Sequence, residues 1–321
     1  MSTIVVFVDH SGPGAPATLG KSSQELLTLA RTAGEPAVAL AGELGQELLA
    51  SFAAHGVARV IQSSQDELAQ YLVAPKADFL AQAAEALSAA AVLLENSSEG
   101  KDIAARVGIA LSAGVIADAV GVDSALGAQK SVLAGSYTVR CRATTDVAVI
   151  AVKPNSIEVA PAGTPTQPAV DQLSVQFGPA SLGARVVDRV QKRSTGRPEL
   201  TDARIIVAGG RGVDGDFSPV EELADVLGAA VGASRAATDA GWIEHSYQVG
   251  QTGKTVSPQL YISAGISGAI QQKAGMQTSQ VIVAVNKDAD SPIFEIADFG
   301  IVGDLFKVLP QAAEEIRRRR A

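Results

Sequence analysis

The stretch LYISAGISGAIQQKAGMQTSQVIVAVNKD runs from Leu260 to Asp288 and decides how the second half of the chain folds. Leu260–Ala264 and Val281–Val285 are apolar runs with strand composition. Gly265-Ile266-Ser267-Gly268 between them is a glycine-rich loop. A short helix is expected to begin near Ser267 and to end at Gly275 as a left-handed cap. Strand, tight loop, helix and strand make the repeating unit of a parallel sheet. Glycines at a strand end let the backbone come close to a ligand, and free N–H groups at a helix start attract anions. No His, Cys or carboxylate sits in the loop, so it reads as a binding element.

The flanking sequence repeats the pattern. Arg204–Ala208 is a strand candidate followed by Gly209-Gly210-Arg211-Gly212, and a helix is expected from Ser218. Ser218-Pro219-Val220-Glu221 spells a capping box with Pro at the first helical position. Ala229–Gly232 is a strand candidate followed by Ala233-Ser234-Arg235. Ile301–Gly303 reads as a last short strand and Leu305–Arg318 as a terminal helix. Arg211, Ser234, Arg235, Thr252, Ser267 and Asn286 all fall just after strand candidates. In an open parallel sheet those carboxyl ends share one edge, where ligands bind. So many polar residues at one edge point to a nucleotide-type site.

The first half alternates short β-branched runs with amphipathic stretches. Strands are expected at Ile4–Asp9, Ala37–Ala41, Arg59–Gln62, Ala90–Glu95, Gly114–Val120, Val132–Arg140 and Val147–Val152. Helices are expected at Ser22–Thr32, Gly42–His55, Gln65–Leu72, Pro75–Ala89 and Lys101–Leu111, with Pro75 at a first helical position. The alternation implies a Rossmann-like, mostly parallel sheet with helices on both faces, and the later strand-rich run implies an antiparallel edge. Prolines at 154, 161, 165 and 168 make 153–168 an extended segment. Asp171–Phe177 alternates like a strand, Ala184–Lys192 reads as a strand or short helix, and Ser194–Pro198 as a loop. The expected fold class is α/β with two domains, 1–196 and a smaller parallel α/β domain at 197–321.

Composition sets limits on function. The 321 residues carry a formal net charge of −8, which argues against a nucleic-acid binder. No apolar run approaches the ~20 residues of a membrane span. The start lacks a basic segment before its apolar run, which argues against a secretory signal. A single Cys, Cys141, excludes an internal disulfide and fits a reducing cytoplasm, and three His make a His-rich metal site a poor expectation. Arg317–Arg320 reads as a solvated tail at a helix C-terminus.

Three familiar motifs do not hold up. Gly210–Gly215 matches the dinucleotide spacing GxGxxG, but the helix begins after the last glycine. Glu221, Glu222 and Asp225 crowd its first turns and oppose a pyrophosphate. Gly250-Gln251-Thr252-Gly253-Lys254-Thr255 lacks the first P-loop glycine and the following helix. Asp298-Phe299-Gly300 spells a kinase metal motif with no other kinase element. Trp242 and Tyr261 read as packing residues, and His10 and His55 as ordinary strand-end and helix-end residues.

Taken in order, Gly209–Gly212, Val231–Arg235, Gln248–Lys254, Leu260–Gln271, Asn286–Asp288 and Asp304-Leu305 closely resemble the electron transfer flavoprotein alpha-subunit family. The match is specific from about Arg204 to Pro310. It is looser in the first half, through Asp9-His10, Gly100-Lys101-Asp102 and Leu133-Ala134-Gly135. The resemblance implies an electron carrier, not an enzyme, with one FAD per heterodimer. It implies a beta-subunit partner whose own site holds AMP in many members. It also implies dehydrogenases, typically acyl-CoA dehydrogenases, as donors and a membrane quinone oxidoreductase as acceptor. By the match, Arg211, Ser234 and Arg235 lie near the flavin. Gln248, Val249, Gly250, Gln251 and Thr252 line its ring and ribityl chain. Ser267, Gly268, Ala269, Ile270 and Gln271 meet the ribityl and pyrophosphate region, and Asn286, Asp304 and Leu305 the adenosine end.

One-electron transfer needs no acid, base or nucleophile, which accounts for the missing catalytic set. A guanidinium such as Arg235 near the ring favours the negatively charged one-electron-reduced form over the neutral oxidised form. A hydroxyl such as Thr252 can hydrogen-bond a ring nitrogen. After Ala-Ile-Gln the family usually has His, and this chain has Gln272, a neutral amide in place of a chargeable donor. On the residues alone, a nucleotide-binding scaffold and an NAD-dependent enzyme using the same edge stay open.

Overall fold

The structure, a computed structural model, describes residues 2–12, 17–133, 137–189, 196–201 and 203–320. By its contacts the chain divides into Met1–Gln191 and Lys192–Ala321; the sequence reading put the division near Gly196. Ala134 and Gly135 lie outside the described residues, as do Ser194 and Thr195 of the expected loop and 190–192 of the stretch before it.

Among the described residues the first unit has nine strands: β1 (Thr3–His10), β2 (Glu35–Gly42), β3 (Arg59–Ser63), β4 (Ala91–Glu95), β5 (Gly114–Val122), β6 (Ala128–Val132), β7 (Tyr137–Cys141), β8 (Ala148–Val152) and β9 (Ala169–Gln172). They form one sheet in the order β7-β6-β5-β8-β4-β1-β2-β3-β9. The β5–β6 and β6–β7 pairs are antiparallel, and the others are parallel. Helices α1 (Lys21–Ala33), α2 (Gln46–Ala54), α3 (Glu67–Gln70), α4 (Val73–Ala86) and α5 (Ser98–Ala110) connect the strands. The central strands are buried on both sides, which is why β1 and β2 read as unbroken apolar runs. Val5, Ala37 and Val92 face one core with Phe79, Leu80 and Ile103. Ile4, Val6, Val38 and Leu93 face the other with Leu27 and Phe52.

Several boundaries differ from expectation. The run expected as one strand at Val132–Arg140 falls on two, β6 and β7, whose ends pair Val132 with Tyr137. Helix α2 starts at Gln46, not Gly42, because Gly42 ends β2 at φ +120°. Pro75 is the third residue of α4, where the N–H still lacks a helical acceptor. The strand expected at Asp171–Phe177 is β9, Ala169–Gln172. Beyond it the Leu173 N–H bonds to the Gln62 carbonyl and the Val175 N–H to the Gln65 side chain. Within 184–189 there is only an isolated bridge, Tyr71 to Arg185.

The second unit is one parallel sheet in the order β11-β10-β12-β13-β14, built from β10 (Ile205–Gly209), β11 (Ala230–Ala233), β12 (Leu260–Ala264), β13 (Val281–Asn286) and β14 (Phe299–Val302). Helices α6 (Ser218–Leu227) and α9 (Leu305–Arg320) cover one face, packing Leu223 and Leu309 on Val207 and Ile262. Tyr261, Met276, Ile282 and Ile293 fill the other face. The capping box does not form. Ser218 is already helical, and its N–H bonds to the Asp216 carboxylate, which Ser218 holds below its ordinary pKa. The basic tail is paired, Arg317 with Glu222 and Arg318 and Arg319 with Glu315. No helix among the described residues is long and apolar enough to cross a membrane.

The proline-rich segment of the first unit runs across the ends of α1 and α2, where Arg31 donates to the Ala160 carbonyl and the Ala162 N–H to Ala54. Glu25 of α1 anchors its start. The side chain is 2% exposed and accepts the N–H groups of Asn155 and Ser156. Burial pushes its carboxyl from 4.5 up to about 7, against the nearby Lys21. The folded value lies above the unfolded one, so the protonated form is the stabilised one. Stability should therefore fall as pH rises from about 4.5 to 7. Glu25→Gln should flatten that slope and gain up to about 3 kcal/mol at pH 8, read by urea unfolding at pH 5 and 8.

Candidate functional site

The carboxyl ends of the second sheet set the site. Gly209, Ala233, Ala264 and Asn286 end four neighbouring strands at one edge. The loops that leave them are tied backbone to backbone. The Gly210 N–H bonds to the Ala264 carbonyl, Gly212 to Gly265, and Ser234 to Gly209. Glycine is required where they meet: a Cβ on Gly210 would lie 2.3 Å from the Gly265 oxygen. Gly265 itself has φ +64°, a region that side chains rarely occupy.

Loop 248–254 joins from the β11 side. The Val249 N–H bonds to the Ala233 carbonyl, and the Gln251 N–H to the Gln271 carbonyl at 2.8 Å. Gly275 does not adopt the left-handed conformation expected of it. It allows close approach instead, since a Cβ there would lie 2.4 Å from the backbone of Gly250. The short helix α8 spans Ile270–Lys273, three residues later than expected near Ser267. Gly268, at φ +84°, and the Ser267 carbonyl, which accepts from the Ile293 N–H, hold residues 266–269 as an open loop.

The structure brings most of the expected residues to this edge. Arg211, Arg235, Gln251, Thr252, Ser267, Ala269, Ile270 and Gln271 are exposed along it. Ser234, Gln248, Val249, Gly250, Gly268, Gln272 and Leu305 are buried beneath. Several of these side chains are committed within the protein. Ser234 caps α7 (Arg235–Asp239), accepting the Ala237 N–H. Gln248 accepts from Thr238 at 3.2 Å and donates to Thr252 at 3.0 Å. Asn286 donates to the Ile266 carbonyl at 3.0 Å, Asp304 accepts the Phe306 N–H and stands 3.5 Å from Lys287, and Leu305 packs in the core. Arg235 lies 3.2 Å from Asp239.

The loop has donors to offer. The N–H groups of Ser267, Gly268, Ala269, Ile270 and Gln271 have no acceptor among the described residues. Successive free N–H groups suit a diphosphate. With Arg211 and Arg235 at the same edge, the residues fit an extended anion carrying a planar ring. The carboxylates of α6 are occupied elsewhere, Glu221 and Asp225 with Arg197 and Glu222 with Arg317. Loop 210–215 is a 3₁₀ turn followed by left-handed Asp214 and Gly215, so it is not a dinucleotide fingerprint. Asp298 accepts the Ile282 N–H as a sheet-end brace.

The sequence reading missed one polar contact. Tyr261, read as packing, is fully buried, yet its hydroxyl meets the side-chain amide of Gln272 at 3.1 Å. The available signal was a phenol on the inward side of an apolar strand, which ordinarily needs a partner.

Comparison with known proteins agrees with this geometry. Residues 199–277 match the family model described as the electron transfer flavoprotein FAD-binding domain, and residues 5–177 match the electron transfer flavoprotein domain. Asn286, Asp304 and Leu305 lie beyond the first match. The electron transfer flavoprotein alpha subunit of Mycobacterium leprae is 46% identical over 325 residues, covering 100% of both chains. That of Mycobacterium tuberculosis is 47% identical with the same coverage. The Bacillus subtilis alpha subunit is 37% identical over 290 residues, 89% of this chain and 88% of its own. The chain thus belongs to the electron transfer flavoprotein alpha-subunit family, a family of electron carriers.

Proposed function

We propose that this chain is the FAD-binding subunit of a cytoplasmic heterodimeric electron carrier. It holds one FAD with a beta subunit, a subunit whose own site holds AMP in many members of the family. It takes electrons from dehydrogenases, such as the acyl-CoA dehydrogenases of fatty acid β-oxidation, and passes them singly toward a quinone oxidoreductase. It turns over no substrate of its own. The observation that carries this reading is the run of five N–H groups at 267–271 without an acceptor among the described residues, inside the region that matches an FAD-binding domain.

Bound FAD supplies the one-electron chemistry, and the chain's own groups bind and bias it. The free N–H groups of Ser267 to Gln271 would face the ribityl and diphosphate region. In the Gln248–Thr252 hydrogen bond the Thr252 oxygen accepts, which leaves its hydroxyl proton free to donate toward the ring. Arg211 and Arg235 would place positive charge near the flavin. Ser234, Val249 and Gly250 would shape the bed from below, and Asn286, Asp304 and Leu305 would stand at the adenosine end.

Three measurements test the reading. The chain co-purified with its beta subunit should be yellow and release FAD on denaturation; a colourless heterodimer overturns the proposal. Arg235→Ala should lower the potential for the first electron by about 1 kcal/mol, roughly 40 mV, in a spectroelectrochemical titration. An unchanged potential removes Arg235 from this role. Gln272→His should add a pH-dependent step in that potential near about pH 6.5 that the native chain lacks.

A further inference from the structure

Tyr261 stands mid-sheet, in register with Ile206 and Ile282 on the neighbouring strands. The core around it is apolar, with Val249, Ile266, Met276 and Ile293. Phenylalanine would fill that space equally well, so the hydroxyl calls for its own explanation. Among the described residues its hydrogen-bond partner is the Gln272 side chain, itself 7% exposed. At 3.1 Å, Gln272 Nε2 stands as donor to the hydroxyl, with Oε1 turned toward Gly250, 3.8 Å from where a Cβ on that glycine would stand.

That arrangement leaves the phenol proton without an acceptor. A buried donor left so costs about 1–3 kcal/mol. The two ends of an amide have the same shape, and the bonding decides which is which. Turning the amide over lets Tyr261 donate to Oε1 and directs both N–H bonds of Nε2 toward Gly250. Burial raises the pKa of the phenol, which keeps its proton in place.

On the FAD reading given above, we infer that Tyr261 is a positioning residue that turns the Gln272 amide so that its NH₂ end faces the loop at Gly250–Thr252. There the amide offers a neutral donor to a carbonyl oxygen, the acceptor that the pyrimidine part of a flavin carries. Gly250 itself, at φ +151°, seats against the Gln271 carbonyl, 3.2 Å from where its Cβ would stand, and leaves the amide in ordinary contact range at 3.8 Å.

The test compares four heterodimers purified with the beta subunit: native, Tyr261→Phe, Gln272→Met and the double variant. The readouts are the FAD dissociation constant and the positions of the bound flavin's visible bands. Losing the oriented donor should weaken FAD about threefold to tenfold and move the bands. Both single variants should show this, and the double variant should be no weaker than Gln272→Met. Losses that multiply in the double variant overturn the inference. So does Tyr261→Phe with native affinity and bands. If Tyr261→Phe does not assemble, Gln272→Met decides: native affinity and bands in that variant overturn the inference. A native heterodimer without FAD sinks the cofactor reading itself, before any variant is compared.

Discussion

The contact between two bare stretches of backbone, Gly210–Gly212 and Gly265, governs everything at the working edge of the second sheet. The Gly212 N–H reaches the Gly265 carbonyl at 3.0 Å, and a Cβ on Gly265 would lie 2.8 Å from the Gly212 Cα. Loops with side chains at those points would be pushed apart. A second contact of the same kind, Gly250 against Gly275, seats the loop from the β11 side. Three loops that are distant in sequence are thereby fixed beside one another, and each leaves polar groups on the open side.

An acidic chain that takes up an anion must overcome its own field. A formal net charge of −8 would repel a diphosphate at long range. Close to, free backbone N–H groups and two guanidinium groups at this edge oppose that field, and partial charges a few ångströms away act before solvent and salt can screen them. The carboxylates on α6 point into ion pairs with Arg197 and Arg317, so these negative groups are already matched.

Much of this was legible in the chain. The alternation of β-branched runs and amphipathic stretches carries the parallel order of both sheets, since burial on both faces leaves unbroken apolar strands. The position of Arg211, Ser234, Ser267 and Asn286 after strand candidates carries the edge. What escaped reading depends on tertiary neighbours. Ser218-Pro219-Val220-Glu221 has the letters of a capping box, but Asp216, two residues earlier, reaches the Ser218 N–H first. Gly275 looked like a helix cap because local sequence cannot show Gly250 lying against it. Tyr261 looked like filler because its partner is eleven residues away on another element.

The Gln251–Gln271 hydrogen bond has a last consequence. It joins two of the three loops within the protein's own fold. The register of these two loops is therefore set within the chain itself. A large, jointed dinucleotide must still surrender its own freedom on entry, but the host has little left to lose.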